Sequence, residues 1–203
     1  MRASTVVCAV TILTLGLTAT TVLGGDPLAI GAGLVETDVE MLDVTGKNVS
    51  IEQARGEKGT LVLFTCNACP WVKAWEERIV SIGNAALDHG VGVIAINSND
   101  PGKVAEDDYP VMQERARQRG VKFPYVVDAT SDVARAYGAT RTPEAFLFDA
   151  AGKLVYHGAI DDNAKDPSAV EETFLKDAVE ALAAGEAVPV AETKALGCTI
   201  KFR

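Results

Sequence analysis

Cys66 and Cys69 stand with two residues, Asn67 and Ala68, between them. Two thiols at this spacing can close a small disulfide ring, and an incoming thiolate can open that ring again. The thiolate, not the thiol, is the nucleophile, so one sulfur must be held as an anion. Half of a zinc site is the first competing use. Only His89, His157 and Cys198 remain as soft ligands downstream, at spacings unsuited to a compact knuckle. An inert structural bridge is the second, and a three-residue separation makes a tight loop that staples poorly.

The elements around the pair decide between these uses. Thr60 to Thr65 is a continuous apolar run, as in a strand buried on both faces of a sheet. From Pro70 to Leu87, Val72, Trp75, Ile79, Ile82 and Ala86 share one helical face. The order is therefore buried strand, Cys-x-x-Cys, helix. Cys66 should sit at the exposed mouth of a helix N-terminus, where free N–H groups and the helix dipole favour an anion. Its pKa should then fall below the free value of about 8.5. Cys69, one turn on and more enclosed, would act as the resolving thiol.

Val39–Val44 and Asn48–Ile51 read as a short hairpin, and Val91–Asn97 as a second buried strand. Asp107 to Arg119 reads as a polar helix closed by Gly120, and Phe123–Val127 as a third strand. Ser131 to Tyr137 reads as a short helix with Ser131 as N-cap. Ala145–Asp149 and Leu154–Ile160 flank a tight turn, and Pro167 to Ala184 is the last helix. Strands alternating with helices and ending in an antiparallel hairpin indicate an α/β protein with a central mixed sheet covered on both faces.

Thr142-Pro143 precedes the strand that starts at Ala145. A Cys-x-x-Cys helix start, a β-α stretch, Thr-Pro and a terminal hairpin together resemble the thioredoxin superfamily. Cys-Asn-Ala-Cys-Pro-Trp-Val-Lys, Ala-Ile-Asn-Ser-Asn-Asp, Ala-Arg-Ala-Tyr-Gly-Ala and Gly-Cys-Thr-Ile-Lys-Phe are similar to the exported redoxin, or peroxiredoxin-like thioredoxin, group. The resemblance spans roughly residues 34–202 and implies a thioredoxin-like fold with an inserted helix and strand at residues 107–127. It implies that Pro143 is cis and faces the cysteines, with Thr142 lending backbone hydrogen bonds to a substrate strand. Cys66 would be the nucleophile, Cys69 the resolver, and Thr142 with Pro143 the substrate platform. The pair Asn67-Ala68 departs from the Gly-Pro of ordinary thioredoxin, and Arg141 stands where similar sequences often carry another Cys.

Peroxiredoxins place a Pro and a Thr at fixed offsets ahead of their reactive Cys. Leu61 and Thr65 do not match that pattern, and Arg141 is the one nearby Arg that could polarise a peroxide. Thiol peroxidase is therefore a lesser alternative. A copper-delivery module using Cys66, Cys69 and His157 is another, since thiolates and imidazole suit copper. A redox-inert interaction domain is the third. Cys198 reads as a small buried residue of a docked tail, with a further resolving role as the competing use. Trp71 and Trp75 read as core or site wall. Asp161, Asp162 and Asp166 lack the Gly and closing Glu of a calcium loop. Glu52 or Glu57 could supply a buried acid near Cys69.

The chain has 203 residues and a formal net charge of −9, which disfavours nucleic-acid binding. Arg2 followed by an uncharged run from Val6 to Leu23 and then Gly24-Gly25 has the form of a signal peptide. At about 18 residues, rich in Thr, Ala and Gly, the run is a weak anchor. Residues 1–24 are thus expected to be a signal peptide, 25–37 a linker and 38–203 the domain. The expected protein is periplasmic or secreted, with membrane attachment only if the segment stays uncleaved. It should need no cofactor and no metal. Its partners should be protein thiols and disulfides, together with a reducing or oxidising thiol protein.

Overall fold

The computed structural model describes residues 25–203; the expected signal peptide, residues 1–24, lies outside them. Nine strands and four α-helices are found among the described residues. The strands are β1 (Met41–Asp43), β2 (Asn48–Val49), β3 (Gly59–Phe64), β4 (Val91–Asn97), β5 (Tyr125–Val127), β6 (Arg141–Thr142), β7 (Glu144–Asp149), β8 (Leu154–Gly158) and β9 (Cys198–Thr199). The helices are α1 (Pro70–Asp88), α2 (Tyr109–Arg119), α3 (Asp132–Tyr137) and α4 (Phe174–Ala184).

Seven strands form one sheet in the order β2-β1-β5-β4-β3-β7-β8. β3 and β4 are parallel, as are β4 and β5, whereas β7 runs antiparallel to both β3 and β8. All six residues of β3 are buried because the sheet is covered twice. Leu61 and Leu63 pack with Trp75 and Ile79 of α1 and Leu175 of α4. Val62 and Phe64 point the other way, onto Val133 and Tyr137 of α3. An uninterrupted apolar run splits in this way into two alternating faces, each feeding its own core. The two-stranded β6–β9 ribbon lies outside this sheet.

Three local expectations change. The last helix starts at Phe174, not at Pro167. Only Pro167–Ala169 form a 3₁₀ turn, and the Glu171 amide is held by the Asp162 carboxylate. Ser131 has φ 61° and does not cap α3 through its side chain; its hydroxyl donates to the Ser98 carbonyl, while Asp128 accepts the Ala134 amide. The lead-in segment is bound to the sheet edge, with Gly31 N donating to Leu154 O at 2.8 Å and Leu34 N to Gly152 O at 3.0 Å. No helix among the described residues is long and apolar enough to cross a membrane.

Candidate active site

β3 delivers the chain to the site. Beyond it, Thr65 N still pairs with Ile96 O, and Cys66 follows at once. Cys69 is the N-cap residue of α1, and Pro70 occupies the first helical position, where no N–H is needed. Both sulfurs are enclosed, Cys66 against the exposed position expected of it, because the loop that carries Thr142 closes over the pair: Cys66 and Cys69 are each 3% exposed. A second loop closes over them. The Thr142–Pro143 peptide is cis. Thr142 Oγ1 lies 3.2 Å from Cys66 Sγ, and the Cys69 thiol donates to Thr142 O at 3.1 Å. The structure thus brings together Cys66, Cys69, Thr142 and Pro143, from segments more than seventy residues apart.

The amides between the cysteines have a partner that the sequence did not disclose. Asp107 Oδ1 accepts Asn67 N at 2.5 Å and Ala68 N at 3.3 Å. Asn99 Nδ2 donates to Asp107 Oδ2 at 2.7 Å, and Tyr125 Oη donates to Asn67 Oδ1 at 3.1 Å. Asp107 is buried, in a 3₁₀ turn just ahead of α2. Donors that would otherwise face a thiolate are therefore engaged by a carboxylate.

The charge distribution departs from expectation accordingly. The Cys66 thiol is pushed up rather than down, by its hydrogen bonding to Cys69, by burial and by the Asp107 charge. Cys69 is drawn down to about 4, chiefly by the Cys66 thiol, with help from Cys198 and the Val72 backbone against the cost of burial. The two thiols titrate as one pair, of which Cys69 is the more acidic member. Once Cys69 ionises, its hydrogen bond to Thr142 O is given up and Cys66 is the donor within the pair.

The third thiol is close at hand. β9 pairs antiparallel with β6, in a register that sets Cys198 opposite Thr142. Cys198 is half-buried and packs against Cys66, Cys69 and Val72. Burial and the neighbouring Cys69 raise its pKa to about 11. All three cysteines are free.

Other residues singled out in the sequence go elsewhere. His157 Nε2 is bound to Glu144 Oε1 at 2.8 Å, and Glu144 Oε2 accepts the Thr140 and Arg141 amides. That ring nitrogen therefore serves a buried pair behind the cis-proline loop, not the cysteines. No group of three His, Cys, Asp or Glu suited to a metal ion occurs among the described residues. Glu52 and Glu57 are exposed, so the buried acid of the site is Asp107 instead. Trp75 is fully buried and donates to Asp161 Oδ1 at 2.6 Å, and Asp161 also binds Arg78. Arg141 Nη1 donates to Gly197 O at 3.1 Å, holding the tail. Cys66 also lines a small cleft of about 50 Å³, walled by Val72, Ile79, Phe123 and Tyr125. Glu76 lies in it between Arg115 and Arg119.

Comparison with known proteins agrees with this geometry. The AhpC/TSA family model matches residues 33–157. A solved structure described as an uncharacterized conserved protein from Geobacillus kaustophilus superposes with a TM-score of 0.79 at 33% identity, covering 86% of this chain and 93% of that one. A thioredoxin-like protein in its oxidised form gives a TM-score of 0.59 at 21% identity, over 77% of this chain and 97% of that one, which bears on the fold alone. The thiol-disulfide oxidoreductase ResA of Halalkalibacterium halodurans is 25% identical over 124 residues. That match covers 61% of this chain and 66% of the relative, so the chain spans about two thirds of that protein's length. The fold is thioredoxin-like, with the central mixed sheet and two-sided helical cover expected of it.

Proposed function

The chain belongs to the AhpC/TSA family of the thioredoxin superfamily, and from that premise we propose that it is an extracytoplasmic thiol–disulfide oxidoreductase working through Cys66 and Cys69. The observation that carries the reading is the meeting of two free thiols at the start of α1 with a cis Thr142–Pro143 loop. The oxidoreductase relative supports it, as does the lowered pKa of Cys69 beside Cys66.

In the reducing direction, Cys66 hands its proton to Cys69 and attacks one sulfur of a substrate disulfide. The substrate's second sulfur leaves as a thiolate, and a Cys66–substrate mixed disulfide remains. Cys69, deprotonated by the departing thiolate, attacks Cys66 Sγ. The Cys66–Cys69 bond forms, and the substrate leaves as a thiol and a thiolate, the latter taking a proton from water. Run backwards, the same steps oxidise a dithiol. Thr142 and Pro143 form the platform on which a substrate strand is held. Substrates are protein thiols or disulfides, and a separate thiol protein resets the pair. The uncharged run Val6–Leu23 supports export, with residues 1–24 removed as a signal peptide.

An insulin-reduction assay tests the reading. Wild type should accelerate precipitation of the insulin B chain in the presence of dithiothreitol, and Cys66→Ser should abolish the acceleration. A wild-type protein that forms no Cys66–Cys69 disulfide and leaves the rate unchanged would sink the proposal.

A further inference from the structure

The mechanism above uses two sulfurs, yet three meet at the site. The third is held there by its own strand. Residues 198–199 pair with residues 141–142, and Thr142 is the residue whose carbonyl accepts from Cys69. Arg141 fastens the adjoining carbonyl of Gly197. Ile200 N continues the ladder onto Thr140 O at 2.9 Å, and Lys201 N is taken by Asn99 Oδ1 at 2.7 Å. Asn99 is also a ligand of Asp107, so the tail is tied to the same polar cluster that sets the Cys66–Cys69 loop. Exposure separates the three thiols. Cys66 and Cys69 are each 3% exposed, while Cys198 keeps a solvent-facing side.

We propose that Cys198 is a third redox residue, which takes the disulfide out of the buried pair by forming a Cys69–Cys198 bond that a partner thiol can reach. This rests on the Cys66–Cys69 exchange proposed above. The Cys198 thiolate attacks Cys69 Sγ of the Cys66–Cys69 disulfide. The Cys69–Cys198 bond forms, the Cys66–Cys69 bond breaks, and its electron pair leaves on Cys66. Cys66 takes the proton that Cys198 gave up, so nothing outside the chain is consumed. Burial and the Asp107 charge both favour the protonated form of Cys66, which suits it to receive that proton.

Re-reduction then begins at the surface. A dithiol protein attacks Cys198 Sγ, and Cys69 departs as the thiolate its surroundings favour. The partner's second thiol attacks the partner's own sulfur in the mixed disulfide and releases Cys198 as a thiolate. The partner ends as a disulfide and this chain as three thiols. The balance is two electrons gained here and two lost there.

Cys66→Ser protein treated with glutathione disulfide tests the relay. Cys198, the thiol that solvent reaches, or Cys69 first takes a glutathionyl group and releases one glutathione. The other of the two then displaces the second glutathione, and peptide mapping without reductant should find Cys69 joined to Cys198 in most molecules. In wild type, the same treatment should give a mixture of Cys66–Cys69 and Cys69–Cys198 links. A Cys198→Ser chain carrying the Cys66–Cys69 disulfide should be re-reduced by thioredoxin at least tenfold more slowly than wild type. A glutathionylated Cys66→Ser protein with no internal link, or equal re-reduction rates, overturns the relay. A Cys66–Cys69 disulfide found in the same wild-type sample would leave the proposed function standing. Unfolding midpoints of both variants, measured in parallel, show that the chains compared are folded.

Discussion

The carboxylate of Asp107 accepts the backbone amide of Asn67 at 2.5 Å, across forty residues of sequence. This contact places a negative charge beside the loop that carries both reactive thiols. It fixes the loop and opposes ionisation of Cys66.

Removing that charge should make Cys66 more acidic. In a Cys69→Ser background, which isolates the thiol, Asp107→Asn should lower the Cys66 pKa by about one unit, equivalent to about 1.4 kcal/mol. The amide oxygen of the new side chain can still accept Asn67 N, so the loop is retained. Thiolate absorbance near 240 nm followed against pH gives the value. An unchanged or higher pKa contradicts the role assigned to Asp107.

The reduced wild-type pair should keep one reactive thiolate far below the pH at which free cysteine loses its own. Free cysteine loses about tenfold in alkylation rate per pH unit below about 8.5. Cys69 is drawn down to about 4, so its anion is present above that pH and disappears as pH falls through it. The rate with iodoacetamide should therefore be nearly flat from pH 8 to pH 6. A tenfold fall for each of those units would show that Cys69 is not drawn down as described.

Truncating His157 should unsettle the fold more than the chemistry. His157→Ala leaves Glu144 buried without the ring that meets its Oε1, and the two side chains are 7% and 2% exposed. Breaking a buried pair from one side costs about 3 kcal/mol. Urea denaturation should show a loss of that order, and a shift under about 0.5 kcal/mol would mean that water replaces the ring.

Gly197→Ala should loosen the tail. A Cβ there would collide with Thr142 O, a backbone atom that cannot yield without moving the loop that carries it. The expected results are faster exchange of the Ile200 amide, which pairs with Thr140, and a weaker Cys69–Cys198 link after oxidation. Amide exchange equal to wild type would show that the ribbon tolerates the methyl group.

The central strands and α1 could be read from the chain because each carries its own period. Leu61 and Leu63 face one core, Val62 and Phe64 the other, and Trp75 and Ile79 mark the buried face of α1. Cys66 and Thr142-Pro143 were visible as motifs in the same sense. Asp107 was not, because a polar residue ahead of a polar helix looks like a helix start, and its partners Asn67 and Asn99 arrive only through folding. The start of α4 was misplaced for the same reason. Val170 to Thr173 have acceptable helix spacing, but Asp162 holds the Glu171 amide from outside the segment. The direction of the Cys66 shift was not legible because its causes arise only on folding: hydrogen bonding to Cys69 first, then burial, then the Asp107 charge.

The ribbon formed by residues 141–142 and 198–199 gives the chain a built-in competitor. A tethered segment acts at an effective concentration in the millimolar range, set by its linker and not by dilution. Any extended polypeptide that is to lie along Arg141 and Thr142 must first evict Cys198 and Thr199. On the proposed platform, a substrate strand would therefore take the place of residues 198–199 and be held only as firmly as its own pairing exceeds theirs.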